Sequence, residues 1–369
     1  MMMVSQKKIG VRIVAIAAAL LLLSSCSSST KDAAESTSAA FPTAQGGELN
    51  LYNWTNYIDP EQLKAFTAET GIKVNLDTFD SNETLLAKLQ SGATGYDVIV
   101  PSDYMVAQMV ELGLLENIGV SSFPNGKNID PNFMDVYWDK GRNYSAPYMY
   151  GSTGIAVNTS NAAANKITSW KDFFNADSLT SVDVLKDQTE VVSAALRASG
   201  VAAADLCTTD KTKYVAAQKI LDGFKPKVID SDGGIERMVK ESSMVRMAWN
   251  GSVNRMVTDN PKIKYVFPSE GLNFWADNLA VPKGAKNIDN AKIFINWMLS
   301  PKQGAAATNF TGYGNAVLGS GEFMLPSIKS DPGINVSPEN AKLVSPTPNC
   351  STEARDLYTQ LFTSWTSNQ

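Results

Sequence analysis

The chain has 369 residues, 44% of them apolar, 9% aromatic and 19% charged, enough for about two domains at roughly 150 residues each and too rich in core-forming side chains for a disordered chain. Acids outnumber cations 37 to 32, a balance that disfavours a nucleic-acid phosphate groove and is compatible with a cationic ligand. There is no histidine, which removes Ser-His-Asp and Cys-His catalysis, HExxH zinc sites and imidazole acid–base chemistry.

Lys7, Lys8 and Arg12 precede an apolar run from Ile13 to Leu23, too short to span a bilayer and suited to a secretory h-region. Residues 1–25 therefore read as an export signal. Leu23-Ser24-Ser25-Cys26 resembles the lipobox of bacterial lipoproteins, and the resemblance implies cleavage before Cys26 and its lipidation; the alternative is an ordinary signal peptide with an incidental cysteine. Residues 26–47 carry too little apolar side chain to offset their ordering entropy and read as a flexible tether with a reach of about 25 Å. Cys207 and Cys350 would both lie outside the cytoplasm, where a disulfide persists. A bridge between them and two separate buried thiols both remain open.

From Glu48 the pattern alternates between strand and helix. Leu49 to Trp54 predicts a strand, Pro60 opens a helix that Gly71 ends, and Ile72 to Phe79 predicts a second strand with Ile72, Val74 and Leu76 on one side. A helix over Asn82 to Leu89, a short apolar strand over Asp97 to Val100 and a helix over Tyr104 to Leu114 follow. Strands separated by helices indicate a parallel sheet of βαβ units, in which ligands gather beyond the carboxyl ends of the strands. Those ends are the loops after Trp54 and after Val100, and both carry aromatic residues. Met247 to Ser252 predicts another strand-to-loop transition ending in Trp249. On the strand over Phe274 to Leu279 the period of two puts Trp275 and Asp277 on one face. An indole beside a carboxylate suits an alkylammonium, although an aromatic over a helix start and a paired acid at a sheet edge are the plainer readings.

Asp187-Gln188-Thr189-Glu190 has the form of a capping box, which favours a helix-start role for Asp187 and leaves Glu190 ambiguous. Asp230-Ser231-Asp232-Gly233-Gly234 lacks the ligand alternation of a calcium loop and reads as a turn. No nucleotide-binding glycine motif, CxxC or GxSxG is present. A hydrolase working with two carboxylates remains possible, but nothing singles out a pair.

NWTNYID (Asn53 to Asp59), ETGIKV (Glu69 to Val74), SNETLLAKL (Ser81 to Leu89), YDVIVPSDY (Tyr96 to Tyr104), TEVVSAALR (Thr189 to Arg197), WNGS (Trp249 to Ser252) and FWADNLAVP (Phe274 to Pro282) together resemble the spermidine/putrescine-binding proteins of bacterial ABC importers. The resemblance runs in order from Leu49 to Tyr313 and implies an α/β, two-lobed type 2 periplasmic-binding-protein fold with hinge crossovers. One lobe would comprise residues 48–151 and 276–320, the other 152–275 and 321–369.

By motif position the resemblance further implies that Trp54, Tyr57, Tyr104, Trp249, Trp275 and Tyr313 box a methylene chain, that Ser102 hydrogen-bonds an amine, and that Asp187, Glu190 and Asp277 neutralise ammonium groups. Three departures bear on ligand length. Asn56 stands where spermidine binders often carry an acid, Tyr313 lies in TGYGN rather than YPTPN, and no polar ligand contact is evident near Asn349. The expected protein is a monomeric, lipid-anchored, extracytoplasmic polyamine binder that serves ABC importer permease subunits. It would have no cofactor, metal or nucleic-acid partner and no catalytic activity. A binder of another cationic or small polar solute in the same fold is the alternative, and a secreted hydrolase the more distant one.

Overall fold

The computed structural model describes residues 40–369, apart from 93–94, 179 and 232–233. The export signal, Cys26 and most of the expected tether lie outside the described residues, as do Asp232 and Gly233 of the expected turn. Of the tether's final stretch, Phe41 packs edge-on to Phe123 with ring centroids 5.0 Å apart, so the chain is already anchored six residues before its first strand.

The strands are β1 (Gly47–Trp54), β2 (Ile72–Phe79), β3 (Val98–Ile99), β4 (Asp135–Val136), β5 (Asp139–Lys140), β6 (Ser145–Asn158), β7 (Val182–Leu185), β8 (Val228–Asp230), β9 (Val245–Trp249), β10 (Ile263–Val266), β11 (Leu272–Ala280) and β12 (Val344–Pro346). Strands β4 and β5 form a separate hairpin. The others build one ten-stranded sheet among the described residues, in the order β2-β1-β3-β11-β6-β9-β7-β8, with β10 on β6 and β12 on β11.

Within the first half β1 pairs in parallel with β2 and β3, and within the second β7 pairs in parallel with β8 and β9, as the βαβ pattern predicts. The helix Pro60–Thr70 between β1 and β2 starts on an Asp59 cap and stops at Gly71, whose φ of 72° is the left-handed stop that glycine supplies. Strand β1 sends Leu49 and Leu51 into one apolar cluster and Tyr52 into another, the two-faced burial expected of a strand inside a helix-covered sheet.

The two halves are joined by antiparallel strands that no local motif announces. The 14-residue β6 pairs with β11 through its first part and with β9 through its second. Gly151 on β6 faces Trp275 on β11, and Tyr150 faces Ala276, so the two expected crossover points are cross-strand neighbours. A register shift follows between Asp277 and Asn278; such a bulge re-aims the side chains beside it.

One local expectation is corrected. The segment after Trp249 is not a loop, since the helix Asn250–Asp259 begins at once. Cys207 and Cys350, 143 residues apart, form a disulfide with a Cα–Cα distance of 4.9 Å.

Candidate functional site

The strand ends of the sheet converge on one cleft. Trp54 ends β1, and Tyr57 follows in the turn before Pro60. Ser102 and Tyr104 begin the helix Asp103–Glu111 after β3, Asp187 and Glu190 begin the helix Gln188–Ala198 after β7, and Trp249 ends β9. Trp275 and Asp277 point in from β11, and Tyr313 follows Gly312, the left-handed stop of the helix Pro301–Thr311. All ten sequence-predicted positions line this one cleft.

Asp277 is its electrostatic centre. Ser102 Oγ donates to one carboxylate oxygen at 2.6 Å and the Tyr57 hydroxyl to the other at 2.7 Å. Ser102 occupies a helix cap position yet makes no side-chain capping bond; its hydroxyl is turned to Asp277 instead. Asn82 fixes that choice, accepting from the Ser102 amide at 3.1 Å and donating to the Ser102 and Tyr104 hydroxyls at 3.0 and 3.1 Å. Burial pushes the Asp277 carboxyl up to about 7 against the pull of these hydrogen bonds.

Asp187 fulfils both readings. Its side chain accepts from the Glu190 amide at 2.9 Å, as a helix cap does, and it also faces the cleft. Burial raises its carboxyl and that of Glu190, and for Glu190 the neighbouring Asp187 adds to the effect. Asn273 Nδ2 donates to Glu190 at 3.1 Å and is itself held by Arg197 at 3.1 Å. Carboxylates crowded in this way lower one another's tendency to ionise until a cation arrives.

The apolar walls are aromatic. Trp275 and Tyr57 each meet Tyr313 edge-on, with centroids 5.1 and 5.4 Å apart. Trp54 lies 4.6 Å from Phe79 and 6.4 Å from Trp249. Two of the indole donors are engaged by the protein itself, Trp54 Nε1 donating to the Val100 carbonyl at 2.9 Å and Trp275 Nε1 to the Thr153 hydroxyl at 3.2 Å.

Several lining residues escaped the sequence reading. Phe79 ends β2 and Asp80 follows it, and both obey the strand-end logic that found Trp54, so they were legible. Asn82 sits on a helix that passed as plain structure, and Arg255 on the helix Asn250–Asp259, whose start the sequence reading took for a loop. Thr347 has no local signal, because β12 is only three residues long; it enters the cleft near where a C-terminal contact was missing, while Asn349 lines a neighbouring cavity. Asn56 is not on the cleft wall, and its carbonyl accepts from Arg255 at 3.3 Å.

Residues 61–336 match the family model of bacterial extracellular solute-binding proteins. The chain belongs to this family. The solute-binding protein is 35% identical over 316 residues to the spermidine/putrescine-binding periplasmic protein 1 of Haemophilus influenzae, covering 85% of this chain and 87% of that one. A solved ABC-transporter protein of Listeria monocytogenes is similar at a TM-score of 0.82 and 32% identity, covering 87% of this chain and 99% of its own. The spermidine/putrescine ABC transporter substrate-binding protein of Streptococcus pneumoniae gives 0.72 and 30%, with 88% and 99% covered. The fold is thus the mixed α/β, two-lobed periplasmic-binding-protein fold, and the family acts outside the cytoplasm. Among the described residues no helix is long and apolar enough to cross a membrane, and no cluster of His, Cys, Asp and Glu could hold a metal ion.

Proposed function

We propose that this solute-binding protein captures a linear polyamine, spermidine or putrescine, outside the cytoplasm and presents it to an ABC importer without altering it chemically. The relatives named for spermidine and putrescine support this reading. The single observation that carries it is the arrangement around Asp277: this carboxyl and those of Asp187 and Glu190, all raised by burial, are set between flat aromatic walls. An ammonium buried without a counter-charge costs several kcal/mol, so a cleft that offers Asp80, Asp187, Glu190 and Asp277 against Arg255 suits a multiply protonated chain. The aromatic faces between the acids suit methylene groups and add cation–π attraction.

In this reading Trp54, Tyr57, Tyr104, Trp249, Trp275 and Tyr313 wall the chain, Ser102 orients an amine through Asp277, and Asp187 and Glu190 take further ammonium groups. The lobes, 48–151 with 276–320 and 152–275 with 321–369, close by bending β6 and β11 near Gly151 and Ala276. The protein works as a monomer anchored through a lipid on Cys26.

A thermal-shift series with putrescine, spermidine, a monoamine and neutral polyols tests the proposal. A ligand selective for the folded state raises the melting temperature by mass action. Selective stabilisation by the di- and triamine is the expected result. Stabilisation by polyols alone would overturn it.

A further inference from the structure

A second cavity adjoins the main cleft, and Tyr104 and Thr189 form walls of both. It lies between the helices Asn82–Gln90 and Asp103–Glu111 on one side and residues 188–189 and 348–359 on the other. At the junction stands Glu83, which accepts from the Tyr104 hydroxyl at 3.3 Å and does not itself reach the main cleft. Glu83 is exposed to the water of the cavity, yet the protein around it and the like charge of Asp187 push its carboxyl up to about 7; that water screens the effect in part.

Leu86 and Met105 supply an apolar wall beyond Tyr104. Arg355, a cation that also lines the cavity, is held in place by bonds to the Cys350 carbonyl at 2.5 Å and the Thr352 hydroxyl at 3.1 Å. The sequence main-slot acid, aromatic ring, further acid therefore repeats once past Asp187.

We propose that the second cavity extends the slot, so that Glu83 receives the outer ammonium of a linear tetraamine whose methylenes pass over Tyr104. The inference rests on the polyamine reading of the main cleft. A cation placed between Asp187 and Glu83 relieves their repulsion, whereas a diamine held in the main slot leaves Glu83 untouched.

The test is titration calorimetry of putrescine, spermidine and spermine with the unmodified protein, Glu83→Gln and Thr359→Lys. The second variant adds a cation to the cavity from an exposed helix position outside the main cleft. The proposal expects spermine affinity to fall at least tenfold relative to putrescine affinity in both variants. An unchanged spermine-to-putrescine ratio in both, with the diamine still bound, overturns the extension and leaves the main slot standing. Failure of the unmodified protein to bind any of the three overturns both.

Discussion

Tyr57 and Asp277 lie 220 residues apart in sequence and share a hydrogen bond of 2.7 Å. With Ser102 on the other oxygen at 2.6 Å, the carboxylate is oriented by the segments following β1 and β3 while it stands on β11. Each oxygen of a carboxylate has further acceptor capacity. Asp277 is therefore aimed in advance and still able to accept from an ammonium, which reduces the ordering cost of binding.

Removing charge at this point costs more than trimming the walls. A hydrogen bond to a charged group contributes about 1.5–3 kcal/mol, equivalent to roughly 10- to 150-fold in Kd. Asp277→Asn and Glu190→Gln are expected to lose affinity on that scale, and Trp54→Phe less than about fivefold, since most of its apolar contact survives. Calorimetric titration with spermidine checks the ranking, with the melting temperature of the ligand-free variants as the control for folding.

The pH dependence has a determined sign. Asp277 is raised from 3.8 to about 7 in the ligand-free protein, and Asp187 and Glu190 are raised as well. A bound ammonium favours the ionised forms, so binding releases protons and affinity rises with pH up to about 7, until the ligand's amines lose charge near 10. Titrations at pH 6.5 in buffers of different ionisation enthalpy measure that release.

For stability the same groups act in the opposite sense. The folded state holds protons that the unfolded state has lost between about pH 4 and 7, so their stabilising contribution is present at low pH and disappears as pH rises through 7. The ligand-free protein should lose part of its melting temperature between pH 5.5 and 8, and Asp277→Asn should flatten that decline.

Two glycines make room for the aromatic walls. A Cβ on Gly151 would stand 2.7 Å from the Trp275 ring and also strike Asn250, and one on Gly251 would stand 2.5 Å from the Tyr313 ring. Contacts that short force the neighbour to move. Gly151→Ala and Gly251→Ala should each weaken spermidine about tenfold, a loss of ~1.4 kcal/mol. A change in the tryptophan fluorescence of the ligand-free Gly151→Ala protein would show that Trp275 has moved.

The Cys207–Cys350 bridge secures the segment that carries Thr347 to the second half of the sheet. A crosslink closing a long loop typically contributes about 2–4 kcal/mol. Cys207→Ser combined with Cys350→Ser should lower the melting temperature by several degrees, read by calorimetry.

What the sequence revealed followed from local periodicity. β1, β2 and β3 with their intervening helices were legible because each is a continuous run with its own stop signal, such as Gly71. The loops after Trp54 and Val100 then followed from the rule that ligands gather at strand ends. The capping geometry of Asp187 was readable in four residues, and its exposure to the cleft was not, because that depends on how β7 sits beside β9.

The pairing of β6 with β11 was equally hidden. It joins residues more than a hundred positions apart, and nothing in Ser145 to Asn158 distinguishes a strand serving both halves from one serving a single half. Thr347 and Glu83 were missed for the same reason, since each matters through a neighbour distant in sequence. The 43% exposure of Leu76 was hidden too, for an alternating pattern cannot reveal that its strand lies at the sheet edge.

The central claim is that acids and aromatic rings from separate segments form one slot for a linear polycation. Titration calorimetry of the protein with spermidine, followed by recovery and analysis of the ligand, tests it most directly. The account predicts one saturable site per chain, lost on Asp277→Asn, with the spermidine returned intact. The absence of a saturable heat, or spermidine recovered as cleaved or modified products, would contradict it.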